Sequence, residues 1–391
     1  MRKENFKSTI YASCMGYVIQ AIVNNFAPLL FITFKNTFNI SLDKIAILVS
    51  FNFGVQLLVD LFSSKFLPII GYRKAVIAAD IFSFLGLTGL AILPDIFSNP
   101  YIGLICAVFL YAIGGGILEV VISPLVEACP TDKKSATMSL LHSFYCWGHV
   151  AVVVLSTVFF AVFGVENWRI MALLWAIVPV INGVWFMFVP IRTLEEEGGG
   201  SSIKELVTSK IFWVMMLLMV CSGASEQGVS QWASAFAEEG LNVSKSIGDL
   251  AGPCTFAVLM GLSRLLYARA NGMIKLEKFM MISGILCVLS YLTISFSPFA
   301  PLNLFGCAIC GFSVGIMWPG SYSIASKKIK GGGTPMFALL ALAGDLGCSS
   351  GPAVVGFISE MFNNNLKLGI LAAAIFPTLL IIGLLLTKKN K

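Results

Sequence analysis

Residues 114–149 read GGGILEVVISPLVEACPTDKKSATMSLLHSFYCWGH. The stretch begins in apolar sequence with one acid, Glu119, and passes through a basic turn. It then returns to apolar sequence that carries His142 and His149, the only histidines of the chain. Two apolar segments joined by a charged turn are typical of neighbouring membrane helices, since a helix needs about 20 apolar residues to cross the hydrocarbon. Ionisable groups at that depth are costly, so the stretch is predicted to carry function as well as fold.

The rest of the chain has the same character. Of its 391 residues 57% are hydrophobic and 12% charged, and the mean hydropathy is +0.88, whereas soluble proteins have about 25% charged residues. An ordinary soluble domain is therefore excluded, and the net charge of +6 indicates membrane topology and not a nucleic-acid-binding surface. The apolar blocks predict twelve membrane helices, near residues 8–33, 45–69, 75–95, 101–126, 137–162, 168–190, 210–236, 247–268, 277–296, 301–325, 334–358 and 367–387.

The predicted fold is all-α and integral to the membrane, with two pseudo-symmetric bundles of six helices. We expect the bundles at 1–191 and 210–391, joined by a cytoplasmic linker at 192–209. This arrangement is typical of secondary transporters. An internal repeat supports it, because two residue pairs recur at the same separation: Pro124 with Lys133, and Pro319 with Lys328.

Basic residues indicate the orientation of the predicted helices. The loops on one side hold most of the lysines and arginines, while the opposite side has only Lys35, Lys44, Arg169, Lys245 and Lys367. By the positive-inside rule both termini are expected in the cytoplasm, in a bacterial inner membrane. In the linker, Ser202 and Glu205 have the spacing of a capping box, which predicts a short interfacial helix.

Four acids lie well inside predicted membrane helices: Asp60, Glu119, Glu226 and Asp345. No lysine or arginine lies comparably deep in the sequence to pair with them. Each is therefore a candidate proton-coupling or substrate-binding group, because a buried acid without a cation tends to hold a proton. The alternative for each is a permanently protonated acid that only ties helices together.

Other polar residues recur at helical spacing and are predicted to line a substrate cavity. Carboxylates, amides and an aromatic plane are what a sugar-like polyol needs for hydrogen bonding and stacking. The alternatives are hydrogen bonds between helices and, for tryptophan, anchoring at the membrane interface. The candidates are Asn24, Asn25, Asn52, Gln56, His142, Tyr145, His149, Gln227, Gln231, Trp232 and Trp318.

One motif suggests an enzyme. Gly311-Phe-Ser-Val-Gly315 matches the G-x-S-x-G nucleophile elbow, so an intramembrane serine hydrolase using Ser313 with His142 or His149 is an alternative. The motif requires a strand–turn–helix context, and here it lies within an apolar helical block, so we do not expect an enzyme. We expect no metal, since the two histidines are about two helical turns apart, and no cofactor, since nucleotide and zinc signatures are missing from the sequence.

The sequence resembles the major facilitator superfamily in topology over its whole length, and within it the branch of fucose, galactose and glucose proton symporters. Leu118-Glu119-x-x-x-x-Pro124 has the spacing of that branch, which implies that Glu119 is a coupling or sugar-binding acid. Val23-Asn24-Asn25 stands where the branch has Leu-Asn-Asp, so the expected first-helix acid is an amide here. Gly71-Tyr-Arg-Lys74 resembles the end of the superfamily's basic loop motif, which implies a cytoplasmic gate at Arg73 and Lys74.

These observations predict a monomeric carrier that works by alternating access in a lipid bilayer. The resemblance implies proton-coupled symport of a sugar or related small polar solute, with protons and that solute as its partners. The alternative transport function is export of amphipathic compounds, for which an apolar cavity would tolerate the loss of most polar lining residues.

Overall fold

The computed structural model describes residues 6–130, 134–192, 203–270, 274–329 and 332–389. Within this part of the chain, twelve helical segments are long and apolar enough to cross a membrane. They match the twelve predicted spans one for one, so the prediction of an all-α membrane fold is confirmed. The first span, Phe6–Phe38, is longer than predicted because the helix resumes after an interruption.

The helices group into two compact units. The first unit comprises Met1–Ile40 and Gly54–Glu196, and the second comprises Ser41–Phe53 and Glu197–Lys391. This division differs from the predicted boundary at 192–209 in one respect, since the first part of the second span groups with the second unit. There, Ser50 and Ser349 each donate a hydroxyl hydrogen bond to the other's carbonyl at 3.1 Å.

Seven helices, α1 to α7, form the first six spans. Their bounds are Phe6–Asn25, Phe31–Phe38, Leu42–Ile70, Tyr72–Ile96, Pro100–Glu127, Lys134–Phe163 and Trp168–Phe188. The start of α5 shows why helices begin where they do, since the Asn99 side chain accepts a hydrogen bond from Tyr101 N and Pro100 occupies the first turn.

Eleven helices, α8 to α18, follow. Their bounds are Ile203–Thr208, Lys210–Ser230, Ala233–Ala235, Lys245–Asp249, Thr255–Ala270, Leu276–Phe296, Ala300–Val314, Met317–Lys328, Gly333–Met361, Leu366–Ala373 and Ile375–Lys389. The short helix α8 lies in the linker, where the capping-box spacing led us to expect one.

Helix α7 shows how the bundle of the first unit is built. Its buried residues include Ala172, Ala176 and Gly183, which recur at helical spacing and allow close packing. The opposite face exposes large apolar side chains such as Ile177 and Ile181. A helix that is apolar on its outer face as well as its inner face is the pattern of a membrane protein, in which the outer face contacts lipid.

The first span of each half is interrupted. Helix α1 ends at Asn25, a 3₁₀ turn follows at Ala27–Leu30, and α2 then continues. The seventh span is broken in the same way, since α9 ends at Ser230, α10 follows, and a π-helical turn occupies Phe236–Gly240. Breaks of this kind free backbone groups and are frequent at functional sites.

Candidate functional site

Two of the predicted acids meet in the first unit. A carboxylate oxygen of Glu119 on α5 and one of Asp60 on α3 lie within 4.8 Å of each other, and both residues are half-buried. The amide of Gln20 on α1 donates a 2.7 Å hydrogen bond to Glu119 Oε2. Helices α1, α3 and α5 therefore meet at the carboxyl groups of Glu119 and Asp60, which we call the carboxyl pair below.

The glycines one turn before Glu119 make this approach possible. A Cβ on Gly114 would lie 2.6 Å from Ala79 O of α4 and would also clash with Ser83 Oγ. A Cβ on Gly115 would lie 3.1 Å from Val23 Cγ2 of α1, and one on Gly116 would lie 3.0 Å from Gln56 Cα of α3. Each glycine faces a different neighbour, so α5 approaches α4, α1 and α3 closely at this level.

Amide side chains lie one helical turn away from Asp60 on α3 and from Gln20 on α1. Gln56 Nε2 donates to Asn24 Oδ1 at 2.8 Å, and both side chains are buried. Asn25, the last residue of α1, donates to Ala21 O at 2.9 Å and to Tyr145 Oη of α6 at 3.4 Å. Four of the predicted lining residues therefore lie in one hydrogen-bonded region of the first unit.

The fifth-span residues do not all lie together. The exposed His142 ring packs against Tyr17 of α1, with ring centroids 5.2 Å apart, and Tyr17 Oη lies 2.9 Å from Ser123 Oγ. His149 lies two turns further along α6 and is only 3% exposed. Of the histidines, His142 is thus the one that a solute can reach in this structure.

The acid of the seventh span has a different setting. Glu226 on α9 accepts a 3.2 Å hydrogen bond from Gln227 Nε2, and Gln227 Oε1 accepts one from Gln231 at 2.9 Å. All three side chains are buried within the second unit. Sequence reasoning placed these residues in one group, and the structure shows them as a chain of hydrogen bonds that ends on the carboxylate.

The tryptophans of the second unit occupy different environments. Trp232 is fully buried, and its indole N–H donates to Pro352 O at 3.0 Å, so both ring faces are covered by protein here. Trp318 is half-buried, and its ring lies against Gly344, the residue before the buried Asp345. Of the two rings, Trp318 is the one available for stacking. Asn52 is also buried, and it lies in the segment Ser41–Phe53, which groups with the second unit.

The two predicted gate residues, Arg73 and Lys74, have different surroundings. Arg73 donates to the carbonyls of Phe186, Met187 and Val189 at 2.7, 2.7 and 2.8 Å. These are the free carbonyls at the end of α7, so Arg73 caps a helix where a cation also complements the helix dipole. Lys74 is exposed.

Carboxylate oxygens such as those of the carboxyl pair are also the ligands that hard cations prefer, so the expectation of no metal stays a prediction. Ser313, the nucleophile of the hydrolase alternative, lies inside α14 and donates to Ile309 O of its own helix at 2.8 Å. This is the hydrogen bond of a membrane-helix serine and not a nucleophile elbow.

Comparison with known proteins agrees with this geometry. The family model of the Major Facilitator Superfamily matches residues 13–352. The chain belongs to the major facilitator superfamily. This assignment confirms the resemblance inferred from the sequence. The family and its fold are those of transporters. No curated protein matches the chain closely enough to be informative.

Solved structures of the major facilitator superfamily share the fold at low identity. A D-xylose-proton symporter superposes with a TM-score of 0.80 at 13% identity, over 98% of this chain and 97% of that one. The Escherichia coli fucose:proton symporter gives 0.66 at 14%, over 96% and 98%. A bacterial homologue of the human lysosomal transporter Spinster gives 0.77 at 11%, over 100% and 98%.

Two polar groups of this superfamily member were missed by sequence reasoning. Gln20 was not a candidate, although it precedes Asn24 by four residues and so shares its face of α1. That spacing was the signal that could have found it. Asp80 on α4 was also missed, although it is only 2% exposed. Its sequence neighbours are apolar except for Ser83, three residues further on.

Proposed function

We propose that this member of the superfamily is a proton-coupled symporter of a sugar or related small polar solute. The observation that carries the proposal is the carboxyl pair, with Gln20 bonded to Glu119. Two carboxyls this close in a medium of low dielectric do not both ionise readily, so the pair tends to share one proton. Binding and release of that proton would couple solute movement to a proton gradient.

The surrounding groups support a polyhydroxylated solute. Amides of Asn24, Asn25 and Gln56 and the hydroxyl of Tyr145 supply both donors and acceptors within the first unit. Hydroxyl groups of a sugar need directional partners of both kinds. The two sugar–proton symporters named above share the fold, and the Leu118-Glu119…Pro124 spacing resembles that of the fucose symporter branch.

The carboxyl pair also supports a proposal about the first-helix acid that the resemblance leads one to expect. Asn25 stands where the branch has an aspartate, and Asp60 of α3 brings a second carboxyl to Glu119. We infer that Asp60 takes over the role of that acid. The predicted topology, with both termini cytoplasmic in a bacterial inner membrane, gives the pair access to protons from each side in turn as the carrier alternates.

Uptake of labelled hexoses and pentoses into proteoliposomes tests the proposal. Accumulation above equilibrium is expected with an inward proton gradient, and only equilibration is expected without one. A sodium gradient imposed alone is the control for the coupling ion. If no labelled sugar is accumulated but amphipathic dyes are driven out of inverted vesicles, the symport proposal is wrong and the export function replaces it.

A further inference from the structure

A second buried carboxyl lies in the first unit, away from the carboxyl pair. Asp80 on α4 is 2% exposed and contacts Asn182 on α7, which is 0% exposed. The amide nitrogen of Asn182 donates to both carboxyl oxygens, at 3.3 and 3.2 Å. A Cβ on the adjacent Gly183 would lie 3.4 Å from Asp80 Cβ, so the two helices are in contact here. The carboxyl therefore lies at a packed helix–helix seam.

No basic side chain neutralises Asp80 among the described residues. Arg73 is occupied by the carbonyls at the end of α7, and Arg169 pairs with Asp95 at 2.8 Å at the far end of α4. Helix α4 also packs against α5 and α1. The remaining titratable groups on these helices make no hydrogen bond to Asp80. They are Lys7, Tyr11, Cys14 and Tyr17 on α1, Tyr72 and Lys74 on α4, and Tyr101, Cys106, Tyr111, Glu119 and Glu127 on α5.

The surroundings of Asp80 favour a neutral acid. Its carboxyl oxygens accept hydrogen bonds only from the neutral amide of Asn182 in the described part of the chain, at 3.3 and 3.2 Å. An ionised carboxylate in an apolar interior also carries a large desolvation cost unless a cation or several strong donors compensate for it. One amide group is a weak compensation. Asp80 is therefore best described as a carboxylic acid in this structure.

A neutral acid needs an acceptor for its O–H, and the same amide offers one. Asn182 Oδ1 is buried and has no hydrogen-bond partner in the described part of the chain. We propose that Asp80 and Asn182 form a second proton-binding site of this carrier. The Asp80 carboxylate takes up one proton from water, and the resulting O–H donates to Asn182 Oδ1 while the amide N–H₂ remains on the other carboxyl oxygen. Release returns the same proton to water and restores the carboxylate.

This site is independent of the carboxyl pair. Glu119 faces α1 and α3, where it meets Gln20 and Asp60, whereas Asp80 faces α7. The proposal therefore does not rest on proton-coupled symport. It adds one proton to those that the first unit can hold. The hydrogen bonding between Asp80 and Asn182 changes when that proton leaves.

Infrared spectroscopy of the full-length protein in lipid nanodiscs tests the site. Protonated carboxyls give a C=O stretching band that ionised carboxylates lack, and the band shifts when O–H exchanges to O–D. We expect Asp80→Asn to remove one such band at neutral pH. Asp95→Asn, the same change at an exposed residue of α4 that is paired with Arg169, is expected to remove none. Glu119→Gln should leave the Asp80 band in place, which separates this site from the carboxyl pair.

Raising the pH and changing the amide complete the test. The Asp80 band is expected to disappear reversibly on alkaline titration, and Asn182→Leu should shift its frequency because the hydrogen bonds to the acid are lost. If Asp80→Asn does not fold, the shift in Asn182→Leu decides alone. A spectrum unchanged by Asp80→Asn or by Asn182→Leu would overturn the proposal. A band that persists at every pH would do so too, since the acid would then be structural and not a binding site.

Discussion

The first spans of the two units share an architecture and differ in chemistry. In the first unit, α1 presents Gln20 about one turn before its break, and the acid it binds, Glu119, lies on α5. In the second unit, α9 presents the acid itself, Glu226, about one turn before its break. The repeat that relates Pro124 to Pro319 places Val314 where the first unit has Glu119.

This difference indicates different roles for the two units. The first unit has a pair of carboxyls that favours a shared proton, whereas Glu226 in the second unit accepts a hydrogen bond from a chain of amides. Amides change neither charge nor protonation over the physiological range. We therefore infer that coupling belongs to the first unit and that Glu226 and its glutamines contribute to solute binding.

The strongest test of this comparison exchanges the same residue type in both units. Glu119→Gln is expected to abolish gradient-driven accumulation while sugar exchange at equal concentrations continues, because the amide retains hydrogen bonds but takes up no proton. Glu226→Gln is expected to keep the accumulation ratio and to raise the KM for sugar. Proteoliposome uptake and counterflow measure both. Accumulation that survives Glu119→Gln, or is lost only in Glu226→Gln, would reverse the division between the units.

A smaller loss is expected when the partner of Glu119 is removed. Gln20→Ala deletes the 2.7 Å hydrogen bond to the carboxylate, and bonds to charged groups contribute about 1.5–3 kcal/mol. Coupled uptake should fall by roughly tenfold, since about 1.4 kcal/mol corresponds to that factor. Gln20→Glu places an acid on α1, as Glu226 is placed on α9. Coupled uptake should be low in this variant too, because a third carboxyl would then face the pair. Uptake equal to that of the unchanged protein in either variant would show that the hydrogen bond is dispensable.

Both units contain glycines at close helix contacts. Replacing such a glycine by alanine should therefore destabilise either unit in a similar way. A Cβ on Gly114 would lie 2.6 Å from Ala79 O, and one on Gly347 would lie 2.8 Å from Val220 C. Overpacking against backbone costs about 1–3 kcal/mol, so Gly114→Ala and Gly347→Ala should each lower the thermal unfolding temperature. Gly54→Ala, whose Cβ would meet nothing within 4 Å, is the matched control and should not lower it, because alanine also favours the helix more than glycine does. Equal unfolding temperatures in all three variants would contradict the proposed helix contacts.

The fold could be predicted from the sequence because membrane burial leaves a simple signal. Every span needs about 20 apolar residues, and this requirement is local. Glu119 could also be predicted as a candidate, since a lone carboxyl in an apolar block is conspicuous. Its partnership with Asp60 could not, because it depends on how α3 and α5 approach each other, and that is set by Gly116 and its contact with Gln56.

The environments of other candidates also depend on distant parts of the chain. Trp232 was predicted to line the cavity because aromatic rings suit sugars, and its ring is fully buried against α16. Arg73 was predicted at a gate because of its loop motif, and it caps α7; both roles stay predictions. Asp80 escaped notice because its partner, Asn182, is more than one hundred residues away in the chain. Residue type indicates which chemistry is possible, and only the packing of distant helices decides where it occurs.

The smallest expected effect concerns the breaks of the two first spans. In the first unit Asn25 bonds to its own helix at Ala21 O, whereas in the second Trp232 reaches across to Pro352 O of α16 at 3.0 Å. Trp232→Phe keeps most of the apolar surface and loses that bond, so the free energy of unfolding should fall by about 0.5–1.5 kcal/mol for the bond itself. Sugar KM should stay within twofold or so, because a buried ring offers no stacking surface. A large rise in KM without a change in stability would instead return Trp232 to the cavity wall and make the second unit's break part of the binding site.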